Sequence, residues 1–326
     1  MIGARSQDEF VAARRPDWQE LDRLLLHDSG SLAKKDGAAI SRLAALYRSL
    51  CTDLMRARAA RYTPDLTAYL DALAARAHAA LYGAEPFRLP DIVSFFTRDF
   101  PRALRANGRF FAIACALFFL PSLVGIAGAL ASDEFATHVL PSPVLQGMAQ
   151  MYSEGLNGRD AGTDTGMAGF YVFNNVGIAF RCFATGVLFG AGSIFFLIYN
   201  GLFTGTVVGH VMSVGHGGNI WTFMCSHAPF ELTAIVIAGG AGLEMGYALV
   251  ETRGRTRVGS LRRAAPSIVR QILGAAAMLL IAAGIEGFWS PSGLPPPVKW
   301  AASGVFSLLI VLYLALAGRP AQEASR

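Results

Sequence analysis

The stretch that decides the fold is Phe110–Ala131, "FFAIACALFFLPSLVGIAGALA", in which no residue is charged. At ~1.5 Å per residue, a helix of this length crosses the ~30 Å hydrocarbon core of a bilayer. Further along, the mostly apolar residues Tyr171–Gly215 are too long for one span. They divide at Gly190 and Gly192 of "FGAGS" into two helices joined by a tight turn. "HGGNIWTFMCSH" follows as a short outer or re-entrant loop, and Pro229–Val250 forms the next span. Ile268–Trp289 crosses again, "SPSGLPPPVK" turns, and Trp300–Ala317 returns. The expected fold is therefore all-α: a polytopic membrane protein of about six transmembrane helices. Five spans plus a re-entrant segment is the alternative.

Composition agrees. Of the 326 residues, 53% are apolar and only 16% are charged, against roughly 25% charged in soluble chains. Such apolar content excludes intrinsic disorder. The four cysteines are too widely and irregularly spaced for a disulfide framework or a zinc module.

The charge is uneven. Residues 1–109 hold 17 of the 28 Lys+Arg and 13 of the 23 Asp+Glu. No apolar signal segment opens the chain. The basic residues are interleaved with acidic ones, so the excess points to positive-inside bias rather than to nucleic acid. Residues 132–170 carry Asp133, Glu134, Glu154, Asp160 and Asp164 against Arg159, whereas residues 251–265 carry five arginines. The first segment is expected outside and the second in the cytoplasm, with both termini cytoplasmic. The expected domains are a cytoplasmic helical domain (1–88), an interfacial or linker helix (89–109), a transmembrane domain (110–318) with outer loop 132–170, and a cytoplasmic tail (319–326).

Within 1–88 three amphipathic patterns predict a small bundle. "RRPDWQELDRLLLHD" sets Pro16 at a helix start with Trp18, Leu21, Leu24 and Leu25 on one face. "AAISRLAALYRSLCTDLMRARAARY" repeats the stripe. "TPDLTAYLDALAARAHAALYG" starts at Thr63 and Pro64 and ends at Gly83. "PDIVSFFTRDFPRALRANGR" sets phenylalanines against arginines, as an amphipathic helix on the membrane surface or a fourth bundle helix would.

Ionisable groups at membrane depth are expensive and mark candidate sites. Here they are Arg181, His210, His227, Glu231, Glu244 and Glu286. His227 and Glu231 in "HAPFEL" share a helix face if the helix begins by His227. Such a pair could move protons, bind a cation or satisfy its own polarity. Arg181 needs an anion, and Glu231 or Glu244 is the expected partner. Asn174, Asn175 and Asn200 are inward-facing amides that want partners on other helices. His210, His216, His227 and Glu231 could supply zinc ligands, but there is no H-E-x-x-H, and no metal site, cofactor or catalytic residue is assigned. Walker A, G-x-S-x-G and Rossmann patterns are also missing. Gly201, Gly205 and Gly209 form a double G-x-x-x-G, and Gly186/Gly190 and Gly242/Gly246 repeat the spacing. Such rows let helices approach closely, within one chain or across a homodimer seam.

The order of "FVAARRPDWQELDRLL", "LYRSLCTDLMRARA", "YLDALAARAHAALYG", "FNNVGIAFRCFATGVLFGAGS", "YNGLFTG", "HAPFELTAIVIAGGAGLEMG" and "IEGFWSP" resembles the stage II sporulation protein M family. It is most similar to long bacterial members with a cytoplasmic N-terminal domain. Asn174, Asn175, Asn200, Gly201, His227, Glu231, Leu232, Gly242, Leu243, Gly246 and Glu286 match positions that the family pattern features. The resemblance implies a cytoplasmic-membrane protein with no established enzymatic activity. The sporulation member anchors a complex that remodels peptidoglycan, and long members are associated with a MoxR-type ATPase and von Willebrand A-like proteins. The leading expectation is thus a non-enzymatic membrane scaffold that recruits envelope-remodelling partners. A transporter or channel using the intramembrane Arg, His and Glu groups is the alternative, and an intramembrane metallohydrolase comes third.

Overall fold

The computed structural model describes residues 6–26, 36–82, 89–153 and 161–319, and every regular element among them is helical. Contacts divide the chain into two units, residues 1–88 and 89–326. Gly83, the acidic Glu154 and Asp160, Arg159 and the tail from residue 320 onward lie outside the described residues.

In the first unit, α1 (Gln7–Leu26), α2 (Gly37–Ala59) and α3 (Pro64–Tyr82) pack pairwise around Trp18, Leu21, Leu43, Leu50, Leu70 and Leu73. Pro16 does not start α1 but lies inside it. The start is a reciprocal cap at Ser6 and Glu9, in which each side chain accepts from the other's backbone N–H at 3.2 Å. Asp53 is buried among the leucines, where its carboxylate accepts from Trp18 Nε1 at 3.0 Å and from Arg14 Nε at 2.8 Å. A buried charge is tolerated when it is paired and hydrogen-bonded in this way.

The second unit opens with α4 (Leu89–Ser94), a π-helical turn (Phe95–Asp99) and α5 (Phe100–Ala106). This stretch is not a fourth helix of the first bundle. Phe100 and Leu104 enter the membrane unit's core. Its arginines serve the end of the last helix, α14 (Pro296–Leu316): Arg105 donates to the Leu314 and Ala317 carbonyls at 2.6 and 2.5 Å, and Arg102 to that of Gly318. Unsatisfied carbonyls at a helix C-terminus attract cations. Burial, together with Arg319 and Arg102 nearby, lowers the pKa of Arg105.

Five described helices are long and apolar enough to cross a membrane: α6 (Gly108–Ala131), α10 (Ala191–Ser213), α12 (Ala228–Val250), α13 (Arg257–Gly284) with its terminal π-helical turn (Ile285–Trp289), and α14. α9 (Ala161–Ala184) has 24 residues, as α6 does, but Asn174, Asn175 and Arg181 dilute its apolar character. It packs against α10, α12 and α13 and is the sixth long helix of the bundle. α12 is the most enclosed span and α14 the least. The segment 132–170 is not an open loop: α7 (Asp133–Val139) and α8 (Ser142–Ser153) occupy its first half, and α9 begins at Ala161. Residues 216–227 contain a short helix, α11 (Gly217–Met224). α13 likewise starts within the arginine-rich stretch, capped by Thr256.

Glycines set how closely these helices meet. A Cβ at Gly201 or Gly205 of α10 would run into the carbonyl oxygens of Phe118 or Ser122 on α6, and one at Gly209 would lie 2.6 Å from Ile126 O. The double G-x-x-x-G row is therefore used within the chain rather than left free for a dimer seam. Gly186 and Gly190 do not form a helical row at all. The first sits in a 3-10 turn (Thr185–Val187), and the second has φ +87° and opens α10. Both nevertheless meet the α12 row, Gly186 against Gly242 and Gly190 against Gly246.

Candidate functional site

α12 begins immediately after His227, with Pro229 in its first turn, where a missing N–H costs nothing. That start places Glu231 one turn above the imidazole, with Nε2 3.9 Å from its Oε2. The third member comes from the end of α13. There the backbone widens into the π-helical turn and presents the buried Glu286, whose Oε1 is also 3.9 Å from His227 Nε2. Such insertions re-aim one side chain and recur at functional sites. One ligand-type atom from each of His227, Glu231 and Glu286 lies within 4.8 Å of the other two.

Neighbouring side chains hold this set in place. Asn175 on α9 donates to Glu286 Oε2 at 3.3 Å, and Asn174 donates to Asn175 Oδ1 at 3.1 Å. His227 Nδ1 is 3.0 Å from Ser290 Oγ. Lys299 in the first turn of α14 is almost fully buried and donates to the Ser290 and Ser292 carbonyls, each at 2.7 Å. The lysine ties the turn that carries Ser290 to α14, while the carboxylates of Glu231 and Glu286 face His227 Nε2. Sequence pattern alone makes "SPSGLPPPVK" an outer turn and misses both residues. Their one signal is a lysine between a proline run and Trp300, at the mouth of a span.

Beside the triad lies a cavity of about 240 Å³. Asn174, Asn175, Asn200, Thr204, His227, Glu231 and Glu286 supply its polar wall, and Met148, Met151 and Tyr152 of α8 cover another side. Among the described residues, the hydrogen bond of Asn200 stays within its own helix: its amide donates to Phe196 O at 2.7 Å.

Two expected members stand elsewhere. Arg181 pairs with neither Glu231 nor Glu244. It is exposed, lies in the last turn of α9 and donates to Gly177 O at 3.0 Å. A long side chain near a helix end can run outward and needs no buried anion. Glu244 lies towards the opposite end of α12, where it accepts from Gln271 Nε2 at 2.6 Å. It borders a second, larger cavity of about 510 Å³ lined by Arg109, Arg253, Arg255 and Arg263. Arg109 there stacks over Phe110 and Tyr247, 4.6 and 4.5 Å from their ring centres. His210 and His216 do not join the triad; the buried Nδ1 of His210 has no hydrogen-bond partner among the described residues.

A family model described as stage II sporulation protein M matches residues 113–291, and a domain of unknown function, DUF8413, matches residues 8–83. No curated protein and no solved structure matches the chain. The first match takes in all three triad residues, the asparagines beside them and the glycine seams. With more than half of its length covered in this way, the chain belongs to the stage II sporulation protein M family.

Proposed function

We propose that this protein is a non-enzymatic scaffold of the bacterial cytoplasmic membrane that recruits partners for peptidoglycan remodelling. The observation that carries the reading is the way the long helices are fastened. Backbone meets backbone along α6–α10 and between α12 and the turn before α10, at glycines that admit no side chain. A frame built on such contacts cannot slide or rock without breaking them, which suits an anchor better than a carrier that alternates between two openings. The separate helical unit at residues 1–88 has its own core and a charged surface, as a docking module needs. Positive-inside bias puts that unit and the arginines at 253–263 in the cytoplasm, and α7 and α8 outside. The MoxR-type ATPase or cell-wall proteins implied by the family resemblance are the partner classes to look for.

Affinity purification in mild detergent, comparing the full chain with residues 89–326, tests this. Partners should be lost from the truncated protein while it still inserts and elutes as the full chain does. Retention of every partner overturns the docking role. One observation favours a second reading, transport: the triad opens on a cavity among the spans that has one polar wall. That reading requires Glu231→Gln to abolish a solute or ion flux in reconstituted vesicles without disturbing folding.

A further inference from the structure

We infer that His227, Glu231 and Glu286 form a binding site for one divalent transition-metal cation of the zinc or manganese class, facing the cavity at the start of α12. The inference does not depend on the scaffold reading.

The geometry is that of ligands awaiting an ion. At 3.9 Å, His227 Nε2 is too far from either carboxylate oxygen for a hydrogen bond. In a tetrahedral zinc site with bonds of ~2.0 Å, ligand atoms stand roughly 3.3 Å apart. A closure of about 0.6 Å brings each carboxylate oxygen to that distance from Nε2, and with all three ligand atoms within 4.8 Å of one another the two carboxylates need to close by about 1.5 Å at most. All three donors end rotatable side chains beside open space, so small χ adjustments suffice.

Charge points the same way. The carboxylates of Glu231 and Glu286 each stand 3.9 Å from His227 Nε2. Among the described residues neither pairs with Lys or Arg; Lys299 spends its donors on carbonyl oxygens. Two carboxylates and a divalent ion give a neutral site, the arrangement that a low-dielectric interior tolerates.

The groups around the triad match what metal ligands require. A ligating histidine commonly donates its second ring N–H to a fixed acceptor. Ser290 Oγ stands at Nδ1, and donation to it leaves the Nε2 lone pair facing the carboxylates. Asn175 holds the outer oxygen of Glu286. The cavity of about 240 Å³ leaves room for water on the open side of the ion. One imidazole with two carboxylates suits zinc or manganese, while the absence of thiolate from the set disfavours soft ions. Bound there, the cation would join α12 to the π-helical turn of α13, and through Asn175 to α9.

The test uses the full chain in detergent, stripped with EDTA, desalted and exposed separately to zinc and manganese chloride. Elemental analysis after gel filtration should find one equivalent of one of these ions per chain, and saturating metal should raise the melting temperature. Glu231→Gln and His227→Gln should lose both effects while eluting as the unsubstituted protein does. Ser290→Ala should weaken binding by about 10- to 100-fold. X-ray absorption on the unsubstituted protein should report one imidazole with oxygen donors, and it decides the matter should the triad variants fail to fold. The inference is overturned if neither ion is retained, if folded triad variants bind unchanged, or if the spectrum shows sulfur donors or no imidazole.

Discussion

Leu50 in α2 and Gly205 in α10 each sit at the centre of a helix contact, and they hold their helices together by opposite means. Leu50 is buried among leucines from two neighbouring helices and contributes by filling space. Gly205 contributes by leaving space out, so that its backbone rests on the Ser122 carbonyl. The difference follows from the solvent each surface faces. Water rewards burial of every apolar atom at roughly 25 cal/mol per Å², so the first unit collects large side chains inside. Lipid offers no such reward, and close backbone approach supplies the attraction instead. Many large side chains of the membrane unit can accordingly turn outward, and Leu120, Leu123, Leu308 and Val311 are all exposed.

The harshest way to break this comparison is to give the seam a side chain. Gly205→Leu would drive carbon into backbone that has no means to yield, and should cost about 3 kcal/mol or more, at the upper end for overpacking. The expected result is loss of a monodisperse peak in detergent. Gly304→Ala is the control, because nothing lies within 4 Å of the Cβ it would add. Helix propensity alone favours that substitution by up to about 1 kcal/mol. Equal tolerance of both variants would show that the seam does not hold the unit together.

Removing atoms should do in the first unit what adding them does in the second. Leu70→Ala empties a fully buried position and should cost about 2–5 kcal/mol. Hydrogen exchange on the full chain should show faster exchange across α2 and α3. Exchange in α10 and α12 should stay as it was, because the two units have separate cores. Equal acceleration in both units would contradict that division.

These contrasts also explain how much of the fold and of the site is legible in the amino-acid sequence. Spans without charge and stripes at helical spacing are properties of single segments, so α2, α3, α6, α12 and α14 are legible from local pattern. Pro16 misleads because its preference for a first turn outweighs the Ser6–Glu9 spacing, which marks the true start. The His227–Glu231 pair is legible because one helix carries both. Their closeness to Glu286 is not, since it depends on a distant π-helical turn that rotates a carboxylate inward. Arg181 and Glu244 group with the triad by chemistry alone. Chemistry says nothing of which end of a helix a residue occupies or which way it turns.

The mildest perturbation acts on the charged, water-facing helix faces of the first unit. Arg42 grips Glu20 with two bonds, Nε to Oε1 at 2.9 Å and Nη2 to Oε2 at 2.5 Å, between α2 and α1. Hydrogen bonding from Arg42 lowers the Glu20 pKa below its ordinary 4.5. A carboxylate with a lowered folded-state pKa favours folding above its ordinary pKa, and that contribution disappears as the pH falls through the lowered value. Both side chains are largely exposed, so solvent and salt screen the pair and its worth stays well below that of Leu70. Glu20→Gln should therefore speed hydrogen exchange in α1 and α2 slightly at neutral pH, less so in high salt. Compared at matched pH, the difference from the unsubstituted chain should shrink as acid protonates Glu20. A difference that held constant throughout the acid titration would mean that Glu20 acts through packing rather than charge.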